Sequence, residues 1–110
     1  MMKKTWYLTL DLKDDPQLIA DYDAHHNRVW PEIIQSIKEA GVRRMDIFRW
    51  RNRLFMVMET QEDFSFERKA DLDRSNPVVQ KWENLMATYQ QELPGADGNK
   101  WQLMHQIFEL

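Results

Sequence analysis

The side-chain period changes four times along this 110-residue chain, and the order of those changes restricts the fold more than any single residue does. Residues 5–12 alternate, with Trp6, Leu8, Leu10 and Leu12 pointing one way and Tyr7, Thr9 and Asp11 the other, the period of a half-buried strand. Asp15 and Pro16 then open a helix, the acid as cap and the proline at the first helical position, where its missing amide donor costs nothing. That helix is expected to run to residue 26 or 27. After a break at Pro31, Ile33, Ile34, Ile37 and Ala40 recur with period 3.6 until Gly41 stops them. Residues 42–50 alternate again, Met45, Ile47 and Arg49 opposite Asp46, Phe48 and Trp50; residues 51–53 form a turn, and residues 54–60 are a third, largely apolar strand. A helix over 64–72 follows, then a second over 77–92 with Asn76 as cap, a Pro- and Gly-containing loop over 93–99, and a last alternating strand over 101–108 in which His105 faces inward with Ile107.

Strand, helix, strand, strand, helix, strand is the order of an α+β ferredoxin-like sandwich, a four-stranded antiparallel sheet with helices on one face. The other face is left bare. Several strands are apolar on both sides, so the bare face is expected to pack on a second copy and give a homodimer, a dimeric α/β barrel. The length fits one domain, residues 1–110.

Composition removes several classes of function. Zero cysteines exclude disulfides, thiol nucleophiles and thiolate metal sites, and suit a cytoplasmic chain. A net charge of −3 has the wrong sign for a phosphate-binding surface, and no stretch approaches the ~20 apolar residues that span a bilayer; neither nucleic acid nor membrane is an expected partner. The start, Met1-Met2-Lys3-Lys4, leads into an alternating, acid-containing segment and not a signal-peptide core. The three histidines include the adjacent pair His25 and His26, which point about 100° apart on a helix and do not share an ion easily. No glycine-rich phosphate loop precedes a helix, and no serine sits in a nucleophile turn. The chemistry left is proton transfer by His, Tyr, Asp and Glu without a cofactor.

Those groups concentrate in one stretch. On a continuous helix Tyr22, His26 and Trp30 are successive i, i+4 neighbours, so a phenol, an imidazole and an indole share one face. Pro31 would kink the helix and open a groove beside His26. Aromatics at this spacing are usually core, and a histidine among them is more often structural than reactive; His25 is expected to face solvent.

The run Tyr22, His26-Asn27-x-Val29-Trp30-Pro31-Glu32, with Asn52-x-Leu54-Phe55 and Gln80-Lys81-Trp82 before Leu85-Met86, resembles the L-rhamnose mutarotase family over essentially the whole chain. The resemblance implies a dimeric ferredoxin-like protein that interconverts the α and β anomers of a 6-deoxyhexose, L-rhamnose or L-fucose. It implies that His26 is the catalytic acid/base, that Tyr22 assists it, and that Trp82 lines the sugar site. Two positions depart from the family pattern: Met45, with Asp46 beside it, stands where a second tyrosine is found, and Trp82-Glu83 where there is a Trp-Trp pair. Met45, Asp46 and Glu83 are therefore candidate substrate-binding residues, and Trp30 and Trp82 candidate walls. Two other readings fit the same architecture, a haem-binding or cofactor-free monooxygenase and a metabolite-binding or assembly module without catalysis.

Overall fold

A computed structural model describes residues 3–96 and 98–110; Met1 and Met2, the first residues of the Met1-Met2-Lys3-Lys4 stretch, and Asp97, within the expected 93–99 loop, lie outside the described residues. The strand β1, Lys3–Leu12, runs down the middle of the sheet. Helices α1 (Pro16–His26) and α2 (Pro31–Glu39) follow, then β2 (Val42–Trp50) and β3 (Arg53–Gln61), helices α3 (Phe66–Arg74) and α4 (Pro77–Ala87), and two short strands, β4 (Gln90–Gln91) and β5 (Gln102–Leu103). All pairings are antiparallel, in the order β2-β3-β1-β4, with β5 also on β1. Both short strands occupy one edge, β4 against Asp11–Leu12 and β5 against Leu8–Thr9, so together they fill the place of the fourth ferredoxin-like strand.

Each crossover is a pair of helices because each contains a proline that restarts the chain. Asp15 Oδ1 accepts from the amides of Gln17 and Leu18 at 2.9 and 3.1 Å, and Asn76 Oδ1 from those of Val78 and Val79 at 3.1 and 3.3 Å. Each cap satisfies two of the donors a helix start leaves open. Gly41, at φ 98°, takes the left-handed turn after α2 that a side chain would strain. The β2–β3 turn is only Arg51 and Asn52, with Trp50 paired to Arg53. Asn52 also ties this tip to the centre of the sheet: its Nδ2 donates to the Leu12 carbonyl, and Leu12 N donates to the Asn52 carbonyl.

The alternation sorts the faces as the sequence implies. Leu8, Leu10 and Leu12 of β1 and Leu54, Met56, Met58 and Thr60 of β3 are buried under the helices. They pack against Tyr22, Ile33, Phe64, Val79, Trp82 and Met86. Covering one large aliphatic side chain of this kind contributes about 1.5–3 kcal/mol, so this face holds the sandwich together. Thr60, fully buried, accepts from Trp6 Nε1 at 2.9 Å and donates to the Gln61 carbonyl, which satisfies its hydroxyl. The opposite face carries Tyr7, Phe48 and Trp50, exposed at 47, 56 and 72 %, and no helix of the described residues covers it.

Three expectations about elements are corrected. The helix expected over 64–72 begins later, because Ser65 Oγ is the group that caps it, accepting from Arg68 N at 3.2 Å; Phe64 is a buried anchor before the cap. The helix expected to reach residue 92 stops at Ala87, since Gln90 and Gln91 are claimed by the edge of β1. The strand expected over 101–108 is a strand only at Gln102–Leu103, with Met104 N still donating to the Tyr7 carbonyl at 2.8 Å; His105, expected to face inward, is exposed.

Candidate functional site

A cleft of about 1050 Å³ opens between the helix-covered face of the sheet and the helices. A 300–1,000 Å³ hollow is typical for a small ligand, so it has room for a monosaccharide. Tyr22 and His26 of α1 line it together with Met45 and Ile47 of β2, Trp82 and Glu83 of α4, Gln90 of β4, and Trp101. A smaller recess of about 390 Å³ lies beside it, bounded by Asp23, Asn27, Arg49 and Leu54, and shares Tyr22, His26 and Ile47 with the cleft. The Tyr22–His26 pair thus borders both hollows.

His26 is the last residue of α1. Its Nδ1 lies 2.9 Å from the Tyr22 carbonyl oxygen, one turn back. A carbonyl only accepts, so Nδ1 carries the proton and the lone pair of the neutral ring is on Nε2. Among the described residues nothing is hydrogen-bonded to Nε2. The imidazole is held 4.4 Å, centre to centre, from the Tyr22 ring and edge-on to Trp82 at 5.8 Å. It is therefore a fixed base with one free nitrogen.

Tyr22 is almost wholly buried, and burial pushes its phenol up to about 12, helped by the negative charges of Glu83 and Asp23 and opposed by a hydrogen bond from the Gln90 side chain. Desolvation disfavours the phenolate, so at neutral pH this group is a hydroxyl that can donate. Asp23 is itself clamped by Arg49, whose Nε and Nη2 reach its two carboxylate oxygens at 2.9 and 2.5 Å. This fork ties α1 to β2 across the smaller recess.

The remaining candidates divide. Trp82 and Met45 line the cleft, as does Glu83, whose carboxylate is 3.8 Å from Lys100 Nζ. Asp46 does not: it points to the open face of the sheet, paired with Arg44 at 2.9 Å, because alternation puts neighbouring residues on opposite faces. Trp30 does not line the cleft either. The helix ends four residues before it, so the i, i+4 ladder is broken, and Trp30 caps α2 and packs edge-on behind Trp82 at 5.0 Å. His25, expected in solvent, is half-buried, with Nε2 3.0 Å from the Tyr89 hydroxyl.

Gln90 and Trp101 were not singled out by sequence reasoning. Gln90 sits in a two-residue strand with no readable period, whereas Trp101 opens the alternating segment on its inward side, a signal that was present. Among the described residues, no group of three or more His, Asp or Glu side chains is placed to hold a metal ion.

With this geometry in view, the chain matches the family model of L-rhamnose mutarotase over residues 6–110. It is 43 % identical to a protein named L-fucose mutarotase from Xanthomonas campestris pv. campestris, over 99 % of this chain and 89 % of that protein. It is 34 % identical to an L-rhamnose mutarotase from Paraburkholderia phymatum over 67 % of each. Among solved structures, the L-rhamnose mutarotase FA22100 of Formosa agariphila superposes with a TM-score of 0.70, at 24 % identity, covering 97 % of this chain and 98 % of that one, a likeness of fold.

Proposed function

The chain belongs to the L-rhamnose mutarotase family, and from that premise we propose that it is a sugar mutarotase whose preferred substrate is L-fucose and whose reacting groups are His26 and Tyr22. The reaction class follows from the family; the sugar and the residues are our reading. The single observation that carries the residue assignment is the tethered imidazole, Nδ1 on the Tyr22 carbonyl and Nε2 unbonded, beside a buried neutral phenol in a sugar-sized cleft.

The steps are two proton transfers and their reversal. His26 Nε2 takes the proton of the anomeric hydroxyl as the C1–O1 bond gains carbonyl character, and the Tyr22 hydroxyl gives a proton to the ring oxygen as its bond to C1 breaks. The open-chain aldehyde rotates about C1–C2, exposing its other face. Closure returns both protons and gives the other anomer. An acid and a base held on one helix avoid the cost of bringing two catalysts together, and each can run its transfer in either direction. Trp82 is placed to stack on the apolar face of the sugar, with Trp30 fixing it from behind.

Two features favour L-fucose. The L-fucose mutarotase relative matches nearly the whole chain, and at more identity than the L-rhamnose relative. Met45 and Glu83, the two departures from the L-rhamnose pattern, both line the cleft. Exchanging a phenol for a thioether and an indole for a carboxylate changes which sugar hydroxyls find partners, and an epimer that leaves a buried polar group unpaired is rejected. Saturation-transfer NMR of anomer exchange on the two sugars tests this: a kcat/KM for L-fucose at least tenfold above that for L-rhamnose is expected, and the reverse order would overturn it.

We further propose that the active form is a homodimer in the cytoplasm. Support for the dimer lies in the bare face bearing Tyr7, Phe48 and Trp50, and in the 104–110 segment, where Ile107 and Phe108 are 91 and 75 % exposed. Such apolar surface is what a second copy would cover. A cytoplasmic setting fits a chain without cysteine, and no helix among the described residues is long and apolar enough to cross a membrane.

A further inference from the structure

Leu103 of β5 pairs with Leu8 of β1, and the next amide, Met104 N, donates to the Tyr7 carbonyl at 2.8 Å, so this stretch is held in register on the edge of the sheet. Leu8 is buried under the helices and its direct partner shares that face; Trp101, two residues before Leu103, is on the same side. It is half-buried and packs against both apolar clusters, the one around Leu10 and Trp82 and the one around Leu8 and Met58. Beside it, Lys100 Nζ donates to the Glu83 carbonyl at 3.3 Å and lies 3.8 Å from the Glu83 carboxylate, which ties the segment to α4 next to Trp82. Trp82 and Trp101 therefore bring indoles to the cleft from two elements, α4 and the segment leading into β5.

Packing alone does not account for an indole at this position. Among the described residues nothing accepts from Trp101 Nε1–H, whereas Trp6 Nε1 donates to Thr60 at 2.9 Å. The one buried side-chain polar atom without a partner among those residues is Gln90 Oε1, so Trp101 Nε1 is open to solvent. A ring packed through its apolar body, with a free donor at its edge, suits a ligand that has carbon faces and a rim of hydroxyls. Phenylalanine or leucine would cover the same clusters and lack the donor. We propose that Trp101 is a substrate-binding residue: its indole forms a second wall of the sugar site, and its Nε1–H donates to a hydroxyl of the bound 6-deoxyhexose. The contact touches no bond that changes in the reaction, so it acts on binding and not on the chemical step. It also bears on the choice of sugar, because an epimer whose hydroxyl points away leaves the N–H unpaired.

The inference rests on the cleft being the sugar site of a mutarotase, and the experiment separates the two. Anomer exchange on L-fucose and on L-rhamnose is measured for wild type, Trp101→Phe and Trp101→Leu. Trp101→Phe keeps a ring and loses the donor; KM for the better sugar is expected to rise about 3- to 10-fold, the scale of one hydrogen bond, with kcat within about twofold. Trp101→Leu removes the ring as well, and its KM is expected to rise further, by at least about tenfold over wild type. A wild-type KM in Trp101→Phe overturns the inference, as does a loss carried by kcat, the mark of a tryptophan that only braces the fold. No acceleration of either sugar by the wild type overturns the mutarotase reading itself, and with it this inference. If Trp101→Leu fails to fold, Trp101→Phe, which keeps an aromatic ring against both clusters, decides.

Discussion

The one hydrogen bond from His26 Nδ1 to the Tyr22 carbonyl does two things at once, fixing the tautomer and pinning the ring against rotation at the end of α1. Replacing His26 with glutamine removes the base while keeping a polar side chain of similar reach, and a loss of about 10²–10⁴ in kcat is expected by NMR anomer exchange. Tyr22 makes a prediction about stability too. Its phenol is neutral in the fold and raised to about 12 by burial, against an ordinary 10.0. Below pH 10 both folded and unfolded chains hold the proton and the stabilisation is complete. As pH rises from 10 to 12 the unfolded chain loses the proton first, so stability falls, by roughly 3 kcal/mol for a shift of this size. Urea titrations at pH 9 and 12 should show that loss in wild type and not in Tyr22→Phe; equal pH dependence in the two would count against a buried neutral phenol. At this scale the sequence pointed to Tyr22, His26 and Trp82, which line the cleft, the first two through helix spacing and the third through the family motif. It did not disclose the bond that sets the tautomer or the inward turn of Gln90, and it placed Asp46 and Trp30 at a site that strand alternation and the early end of α1 keep them from.

Among the elements, those with strong local signals were legible nearly to the residue. Asp15-Pro16 and Asn76-Pro77 announced the starts of α1 and α4, and the alternation of β1 and β2 gave both their extents and their faces. The fourth position of the sheet was not legible, because pairing at an edge is decided by what β1 offers. Asp11–Leu12 and Leu8–Thr9 recruit two separate dipeptides, and no period can show in two residues. The caps are open to a direct test. Asp15→Ala removes the acceptor of two amides at the start of the helix that carries Tyr22 and His26, and about 1 kcal/mol of stability should go with it. Denaturant midpoints measure this; an unchanged midpoint would mean that the packing of α1 alone sets its register.

For the whole molecule, the sandwich is closed on one face and open on the other, and the same chain that buries Leu10, Leu12 and Leu54 leaves Trp50, Ile107 and Phe108 in water. The proposed second copy would resolve that imbalance. Light scattering should give twice the mass of the 13.4 kDa chain, and Phe48→Lys with Ile107→Asp should return it to that of one chain, whereas a wild-type monomer at micromolar concentration would remove the dimer from the proposal. Order of elements and apolar patterning made the sandwich and the bare face readable from the sequence. The cleft was not, since it arises where α1, α4, β2 and the 98–103 segment meet, residues far apart in the chain. The most direct measurement is saturation transfer between the anomers of L-fucose at neutral pH, with wild type and His26→Gln side by side. Exchange well above the buffer rate with wild type, falling by at least about a hundredfold in the variant while sugar binding persists, is the expected result. Equal exchange in the two proteins would contradict the assignment of His26 as the group that moves the proton.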